Sequence, residues 1–447
     1  MIAKPNVVYV FADQWRAQAT GYAGDPNVQT PHLDRLAAQS LNLTHAIAGM
    51  PVCTPARAIL LTGQRALTHG VFVNDVQLDP QATSLGKTFK NAGYDTAYIG
   101  KWHVDGRGRS NYIPPERRQG FDYWKVLECT HNYNNSFYYA GDSDARLTWE
   151  GYDAVSQTRD AQRYIRERDS DKPFLLALSW GPPHNPYDSA PEEFRRLYDA
   201  ANIELRPNVP GELAAQSREW LAGYYAHCSA LDACVGDLLA TLDEEGIAED
   251  TLFVFTSDHG DMLGSQGLER KQKPWDESIR VPFLLRYPAR FGRQGREVDA
   301  LLDAPDIMPT LLGLCDIPIP ATVEGLDFTA HLEGGEDPSG GAALLACYHP
   351  FGEWHRDNGG RELRGLRTRH YTYVRALEGP WLLYDNDSDP YQLNNLMDRN
   401  AHVDLQIELD YELQRRLEAM GDEFLPGADY LEKWGYEVDE KGTVPYK

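Results

Sequence analysis

Four short runs of the chain are apolar almost without interruption: NVVYVFAD (6–13), DTAYIG (95–100), PFLLALSW (173–180) and TLFVFTSD (251–258). Runs of this length with no polar face predict strands covered on both sides of a sheet. Between them the period changes. PHLDRLAAQSL (31–41) has leucines at 33, 36 and 41. SLGKTFKNAG (84–93) starts on a capping serine and stops at glycine. Residues 152–168 and 224–246 are longer and amphipathic. Strand alternating with helix predicts an α/β fold around a mainly parallel sheet.

After about residue 330 the texture differs. EGGEDPSGG (333–341) reads as a linker or surface loop. The stretches 343–349, 364–376 and 380–385 alternate and are rich in aromatic residues, which predicts a small antiparallel sheet. A helix is expected over 405–421. A large domain over 1–335 and a smaller α+β domain over 336–447 are therefore expected.

Each buried run leads into reactive side chains. The first ends in Asp13-Gln14, the second in Lys101-Trp102-His103, the third in GPPHNPY with His184, and the fourth in Asp258-His259. Ligands of open α/β sheets bind outside the carboxyl ends of the strands. One polar strand end ordinarily caps a helix; four together point to a site. Asp13, Gln14, Asp258 and His259 suit a hard divalent cation such as Ca²⁺ or Mg²⁺, and the imidazole leaves room for Mn²⁺.

PVCTPARAILLTG (51–63) reads as a helix start, with Pro55 in the first turn. Cys53 falls near the N-cap, where the macrodipole favours an anion, and Arg57 lies one turn on. On C-x-P-x-R alone, a small buried cysteine beside a surface arginine is the more economical reading. His69 and Asn74 of THGVFVND read as structural. ECTHNYNNSFYY (128–139) suits sugar hydroxyls and a solvated loop equally, and Trp102, Trp180, His349, Trp354 and His355 are weaker candidates for a leaving-group pocket.

Composition narrows the partners. With 43 Lys and Arg against 67 Asp and Glu, the net charge of −24 argues against nucleic acid and against an anionic membrane surface. An anionic substrate then requires a local cluster of positive charge. The six cysteines include no CxxC pair, so free thiols in a reducing compartment are expected rather than a thiolate zinc site. The N-terminal MIAKPNVVYV lacks the apolar core of a signal peptide, so a cytoplasmic location is expected as written, and a periplasmic or secreted one if a leader has been trimmed. No apolar run is long enough to span a bilayer.

Two longer motifs carry a resemblance. CTPARAILLTG (53–63) resembles the first signature of the type I sulfatases, and GYDTAYIGKWH (93–103) their second. FADQ, PPHNPY, TSDHGDMLG and KQKPWDESIRVP follow in the family's order, and LLYDNDSDPYQLNNL resembles its closing segment. The resemblance covers residue 5 to about 290 in register. It implies the alkaline-phosphatase-like three-layer sandwich, with a C-terminal domain built on a four-stranded antiparallel sheet.

It also implies a chemistry. Cys53 would be converted to Cα-formylglycine by a formylglycine-generating enzyme that reads C-x-P-x-R, and would react as the hydrated gem-diol. Asp13, Gln14, Asp258 and His259, with an oxygen from residue 53, would hold a divalent cation, calcium by family habit. Arg57 and Lys101 would hold the diol and lower its pKa, and His103 would move its proton. His184 and Lys271, four residues before the Trp275 that replaces a usual tyrosine, would bind sulfate and serve the leaving oxygen. The substrate implied is an anionic sulfate monoester, most simply on a saccharide. Gln14 stands where many members have a second aspartate; this also resembles the related phosphonate monoester and phosphodiester hydrolases, one alternative reading. Another is an inactive carbohydrate-binding homologue with an unmodified cysteine. Oligomeric state is left open.

Overall fold

The computed structural model describes residues 4–446. Ten strands make the central sheet: β1 (Asn6–Asp13), β2 (Leu41–Ile47), β3 (Asp95–Lys101), β4 (Tyr123–Leu127), β5 (Phe137–Ala140), β6 (Leu147–Thr148), β7 (Phe174–Pro183), β8 (Thr251–Ser257), β9 (Leu284–Arg286) and β10 (Arg296–Asp303). Their spatial order is β10-β2-β9-β8-β1-β7-β3-β4-β5-β6. The five from β8 to β4 are parallel, and so are β10 and β2. β9 runs antiparallel between β8 and β2.

Counting helices of seven residues or more, these are α1 (Pro31–Ala37), α2 (Cys53–Thr62), α3 (Leu85–Asn91), α4 (Asp153–Glu167), α5 (Ala214–Glu244), α6 (Ile307–Leu314), α7 (Val403–Met420) and α8 (Gly427–Trp434). β1 shows why its sequence is apolar at every position. Val7, Tyr9 and Phe11 pack into the layer that holds Ile59 of α2 and Leu311 of α6. Val8, Val10 and Ala12 pack into the opposite layer, with Ala161 of α4 and Leu231 of α5. Both faces are covered, giving the expected three layers.

A separate antiparallel sheet follows: β11 (Ala342–Cys347), β12 (Leu363–Thr368), β13 (Tyr371–Ala376) and β14 (Gly379–Asp385). The stretch 364–376 is a hairpin, not one strand. Leu409, Leu413 and Leu417 of α7 cover one face of this sheet. The other face packs on Met262, Trp275 and Ile279, so the two sheets share apolar contacts.

Two helices differ from expectation. The helix expected over 31–41 ends at Ala37, and Leu41 instead opens β2. The helix expected from 224 begins ten residues earlier, at Ala214, and runs straight through Gly223. That glycine is there for packing: a Cβ at Gly223 would lie 2.2 Å from the Tyr187 carbonyl oxygen. Beyond β1, β3, β7 and β8, the other six strands of the central sheet went unpredicted because they give no long apolar run. β6 and β10 carry exposed positions, β2 and β4 are interrupted by polar residues, and β5 and β9 are only four and three residues long. Among the described residues, no helix is long and apolar enough to cross a membrane.

A buried ion pair ties the two sheets together. Arg367 of β12 donates from Nε and Nη2 to the two oxygens of Asp276, at 2.8 and 3.0 Å. Burial opposes a charge on Asp276, but Arg367, backed by Arg280, holds the carboxyl well below the usual carboxylate range. A carboxyl depressed in this way stabilises the fold above its unfolded pKa of about 4, and the contribution fades as pH falls below that value. Arg367→Ala should therefore cost about 3–5 kcal/mol at neutral pH. In thermal melts the gap between wild type and variant should narrow at pH 3; an equal gap at pH 7 and pH 3 contradicts this account.

Candidate active site

The strand ends converge as the sequence suggested. Asp13 closes β1 and Lys101 closes β3; His184 follows β7, and Asp258 and His259 follow β8. Gly100 brings β3 close to β7 just before Lys101: its φ is +106°, and a Cβ would meet the Ser179 carbonyl oxygen at 2.0 Å. α2 enters from beneath. Every residue of α2 is buried, and Cys53 is its first residue. Asn74 Oδ1 accepts from the Thr54 amide at 3.0 Å, satisfying one free donor of the first turn.

Cys53 sits at the centre, 1% exposed. Its Sγ lies 3.2 Å from His259 Nε2, 3.3 Å from Lys271 Nζ and 3.5 Å from Asp13 Oδ1. Burial opposes an anion on Cys53, but Lys271, Lys101 and His259 hold the thiol well below its ordinary range. The site is thus built to carry negative charge at residue 53.

Arg57 is not a surface residue. It is 1% exposed and forks between two carboxylates, with Nη2 at 3.1 Å from Asp13 and Nε at 3.1 Å from Asp258. Its Nη1 donates to the Lys101 carbonyl at 2.8 Å and to Ser179 Oγ at 2.7 Å. Lys101 Nζ reaches Asp13 Oδ2 at 2.6 Å. Burial and Cys53 work against charge on Asp13, yet Lys101 and Arg57 keep it ionised. Asp258 is then the disfavoured carboxylate, pushed up to about 6 by burial and by the neighbouring charge of Asp13.

These groups fit a cation. One ligand atom each from Asp13, Cys53, Asp258 and His259 lies within 4.8 Å of the others, and all four residues are buried. His259 Nδ1 donates to the Gly260 carbonyl at 2.9 Å, which fixes the tautomer and leaves Nε2 free as a ligand. A divalent ion would relieve the crowding of two buried carboxylates. Gln14 is placed beside them with φ +74°, but its amide is engaged elsewhere. Its Oε1 accepts from Lys271 Nζ at 3.0 Å, and its Nε2 donates to Asp261 Oδ2 at 2.6 Å.

Above Cys53 opens a cavity of about 360 Å³. Lys101, His103, His184 and Lys271 line it, as expected, with Arg109 and Arg270. This concentrates positive charge inside an acidic protein. Lys271 Nζ donates to His184 Nε2 at 2.6 Å, and His184 Nδ1 donates to the Asn185 carbonyl at 2.8 Å. Burial and Lys271 together hold His184 below the ordinary imidazole range.

His103 pairs through Nε2 with Asp75 Oδ1 at 3.3 Å, and its Nδ1 is buried with no partner. Arg109 grips the same Asp75 at 2.9 and 2.8 Å. Neither Asp75 nor Arg109 was anticipated; they lie 28 and 6 residues from His103 in sequence and meet it only through loops. Two other residues of the cavity wall, His131 and Glu353, also come from outside the strand ends. His131 stacks on His184 with ring centres 4.5 Å apart, so part of the 128–139 stretch does face the site. Trp354 and Trp180 are buried away from it, Trp275 donates to the Tyr384 hydroxyl at 3.3 Å, and His69 accepts from the Val71 amide.

Comparison with known proteins gives a consistent picture. The family profile described as Sulfatase matches residues 5–317, and one described as N-sulphoglucosamine sulphohydrolase, C-terminal, matches residues 264–419. The chain is 45% identical to an ulvan-active sulfatase of Formosa agariphila, over 99% of this chain and 87% of that protein. A solved Bacteroides thetaiotaomicron structure, described under metabolism of multiple glycosaminoglycans, superposes with a TM-score of 0.86 at 32% identity, covering 96% of this chain and 98% of that one. The phosphonate monoester hydrolase of Agrobacterium radiobacter superposes with a TM-score of 0.76 at 25% identity, covering 99% and 100%.

Proposed function

Because this chain belongs to the sulfatase family, and so to the sulfuric ester hydrolases, we propose that the carbohydrate sulfate monoester it hydrolyses is carried by ulvan, a sulfated polysaccharide. The 45% identity to an ulvan-active sulfatase over almost the whole chain supports that substrate. The observation that carries the chemistry is the cluster of Asp13, Cys53, Asp258 and His259 beneath a cavity lined by lysine, arginine and histidine.

In this reading Asp13, Asp258 and His259 hold the divalent cation, with calcium the expected ion. Cys53 is the residue matured to formylglycine by an enzyme that reads residues 53–57. A cation held there would supply charge neutralisation to a sulfate, and a hydrated aldehyde at residue 53 would supply the attacking oxygen.

The remaining work belongs to the protein's own side chains. Arg57, committed to Asp13 and Asp258, fixes the floor rather than gripping substrate. Lys101 and Lys271 present fixed positive charge to the sulfate oxygens, which is where electrostatic stabilisation is worth most. The unpartnered Nδ1 of His103 is oriented by Asp75 on the other ring nitrogen. Burial opposes charge on this imidazole, but Cys129 and Asp75 outweigh it and hold the ring above its ordinary range, so His103 stands as the proton-exchanging cation beside a hydroxyl at residue 53. His184 is neutral at rest, and its Nε2 accepts from Lys271 Nζ across 2.6 Å; a proton passed from Lys271 to Nε2 is the one His184 gives to the leaving alkoxide.

A leaving-group test checks this assignment. His184→Gln should lower turnover of sulfated saccharide by about 10²–10⁴-fold. It should lower turnover of 4-nitrophenyl sulfate far less, since a nitrophenolate leaves without protonation. Equal losses on both substrates would place His184 elsewhere in the reaction. The substrate proposal is tested by ion chromatography of sulfate released from ulvan. Hydrolysis of 4-nitrophenyl sulfate with none from ulvan would assign the enzyme to another saccharide.

A further inference from the structure

Asn185 and Arg270 line the catalytic cavity and also line a second, larger one of about 640 Å³. The two spaces therefore share a rim one residue beyond His184. The second space lies between the segment after His184, the first turns of α5 and the loop that ends at Arg270. Its volume is within the range of roughly 300–1,000 Å³ typical of small-molecule sites.

The walls are built like a sugar site. Half-buried Trp220 offers a ring face, flanked by Tyr187 and Tyr198. Both tyrosine rings are tied in place by their hydroxyls: Tyr187 donates to Asp261 Oδ2 at 2.6 Å, and Tyr198 pairs with Ser229 Oγ at 2.6 Å. At the shared rim, the amide oxygen of Asn185 is buried with no partner. Charge here is opposite to that above Cys53. Five carboxylates line the space against three guanidinium groups, and two of those three already span Glu192. Such a surface disfavours a second sulfate and favours hydroxyl groups, which carboxylates accept.

We propose that this groove is a second sugar subsite, holding the hydroxyl-rich residue next to the sulfated one, so that the enzyme acts on sulfate carried within a saccharide chain. The proposal rests on the sulfatase reading of the first cavity. In it, the sulfated residue stands over Cys53, the chain crosses between Asn185 and Arg270, and the neighbouring ring stacks on Trp220.

The test uses the matured, metal-loaded enzyme with size-fractionated ulvan oligosaccharides. For the wild type, kcat/KM should rise about tenfold or more between the disaccharide and longer chains, which is the order of one stacked ring. Trp220→Ala should flatten that rise, mainly through KM, and Trp220→Phe should keep most of it. Melting curves of both variants establish that they are folded, and the phenylalanine variant carries the comparison if the alanine variant is not. Sulfate release from the disaccharide with no gain on longer chains overturns the groove alone, as does a folded Trp220→Ala enzyme with the wild-type length dependence. Release from no oligosaccharide and none from 4-nitrophenyl sulfate overturns the sulfatase reading, and the groove with it.

Discussion

Cys53→Ala should lower kcat/KM on 4-nitrophenyl sulfate by about 10⁴-fold or more, with the melting temperature nearly unchanged. The magnitude follows from removing a nucleophile outright while leaving the electrostatic surroundings in place. The residual rate would come from Lys101, Lys271 and the bound cation, which still recognise the sulfate. Cys53→Ser separates two ideas. A serine hydroxyl can attack sulfur but has no second hydroxyl through which to expel the sulfate, so it should release one equivalent of nitrophenol in a burst and then stall. A serine variant that turns over at the wild-type rate would remove formylglycine from the mechanism. Small-to-small replacement costs little packing energy here, because Cys53 faces polar groups rather than an apolar core.

Arg57→Ala should lower stability at least as much as Arg367→Ala. The guanidinium bridges two carboxylates that are both fully buried, and it also donates to Lys101 and Ser179. Deleting it leaves Asp13 facing Asp258 without that bridge, and breaking such a buried pair costs about 3–5 kcal/mol. In a protein of this size that corresponds to a fall in melting temperature of roughly 3–5 °C. Arg57→Lys should recover little, because a point charge cannot fork between two acceptors. Calcium offers an internal control. An ion bound between Asp13 and Asp258 takes over part of the lost compensation, so added calcium should raise the melting temperature of the alanine variant more than that of the wild type. Equal calcium shifts would mean that Arg57 and the cation do not share these carboxylates.

The residues that sequence made legible share one property: each follows directly on a buried apolar run. Asp13, Lys101, His184, Asp258 and His259 were found because a parallel sheet delivers its strand ends to one edge. Cys53 and Arg57 are one helical turn apart, so their common face was readable, but the burial of Arg57 was not. An arginine that neutralises two distant aspartates looks the same in sequence as one in solvent. Asp75, Arg109, His131 and Glu353 enter from loops or from beside the second sheet, and no local period records where a loop will return. Gln14 shows the remaining limit. Its position beside the cluster was readable, whereas the capture of its amide by Lys271 and Asp261 depends on residues about 250 positions away.

The complete burial of α2 also sets an order of events. Folded, residues 53–57 are a helical turn with no exposed face, and Cys53 lies at the bottom of a cavity. A modifying enzyme that reads these five residues as a peptide cannot reach them without unfolding the surrounding layer, which costs most of the stability of the domain. If Cys53 is matured in the way proposed above, maturation and folding are in competition, and a chain that folds first stays unmodified. Protein produced faster than it is modified would be stably folded, metal-competent and inert. Modifying enzyme added afterwards would not rescue it, whereas slower synthesis or co-expression of that enzyme would raise the active fraction.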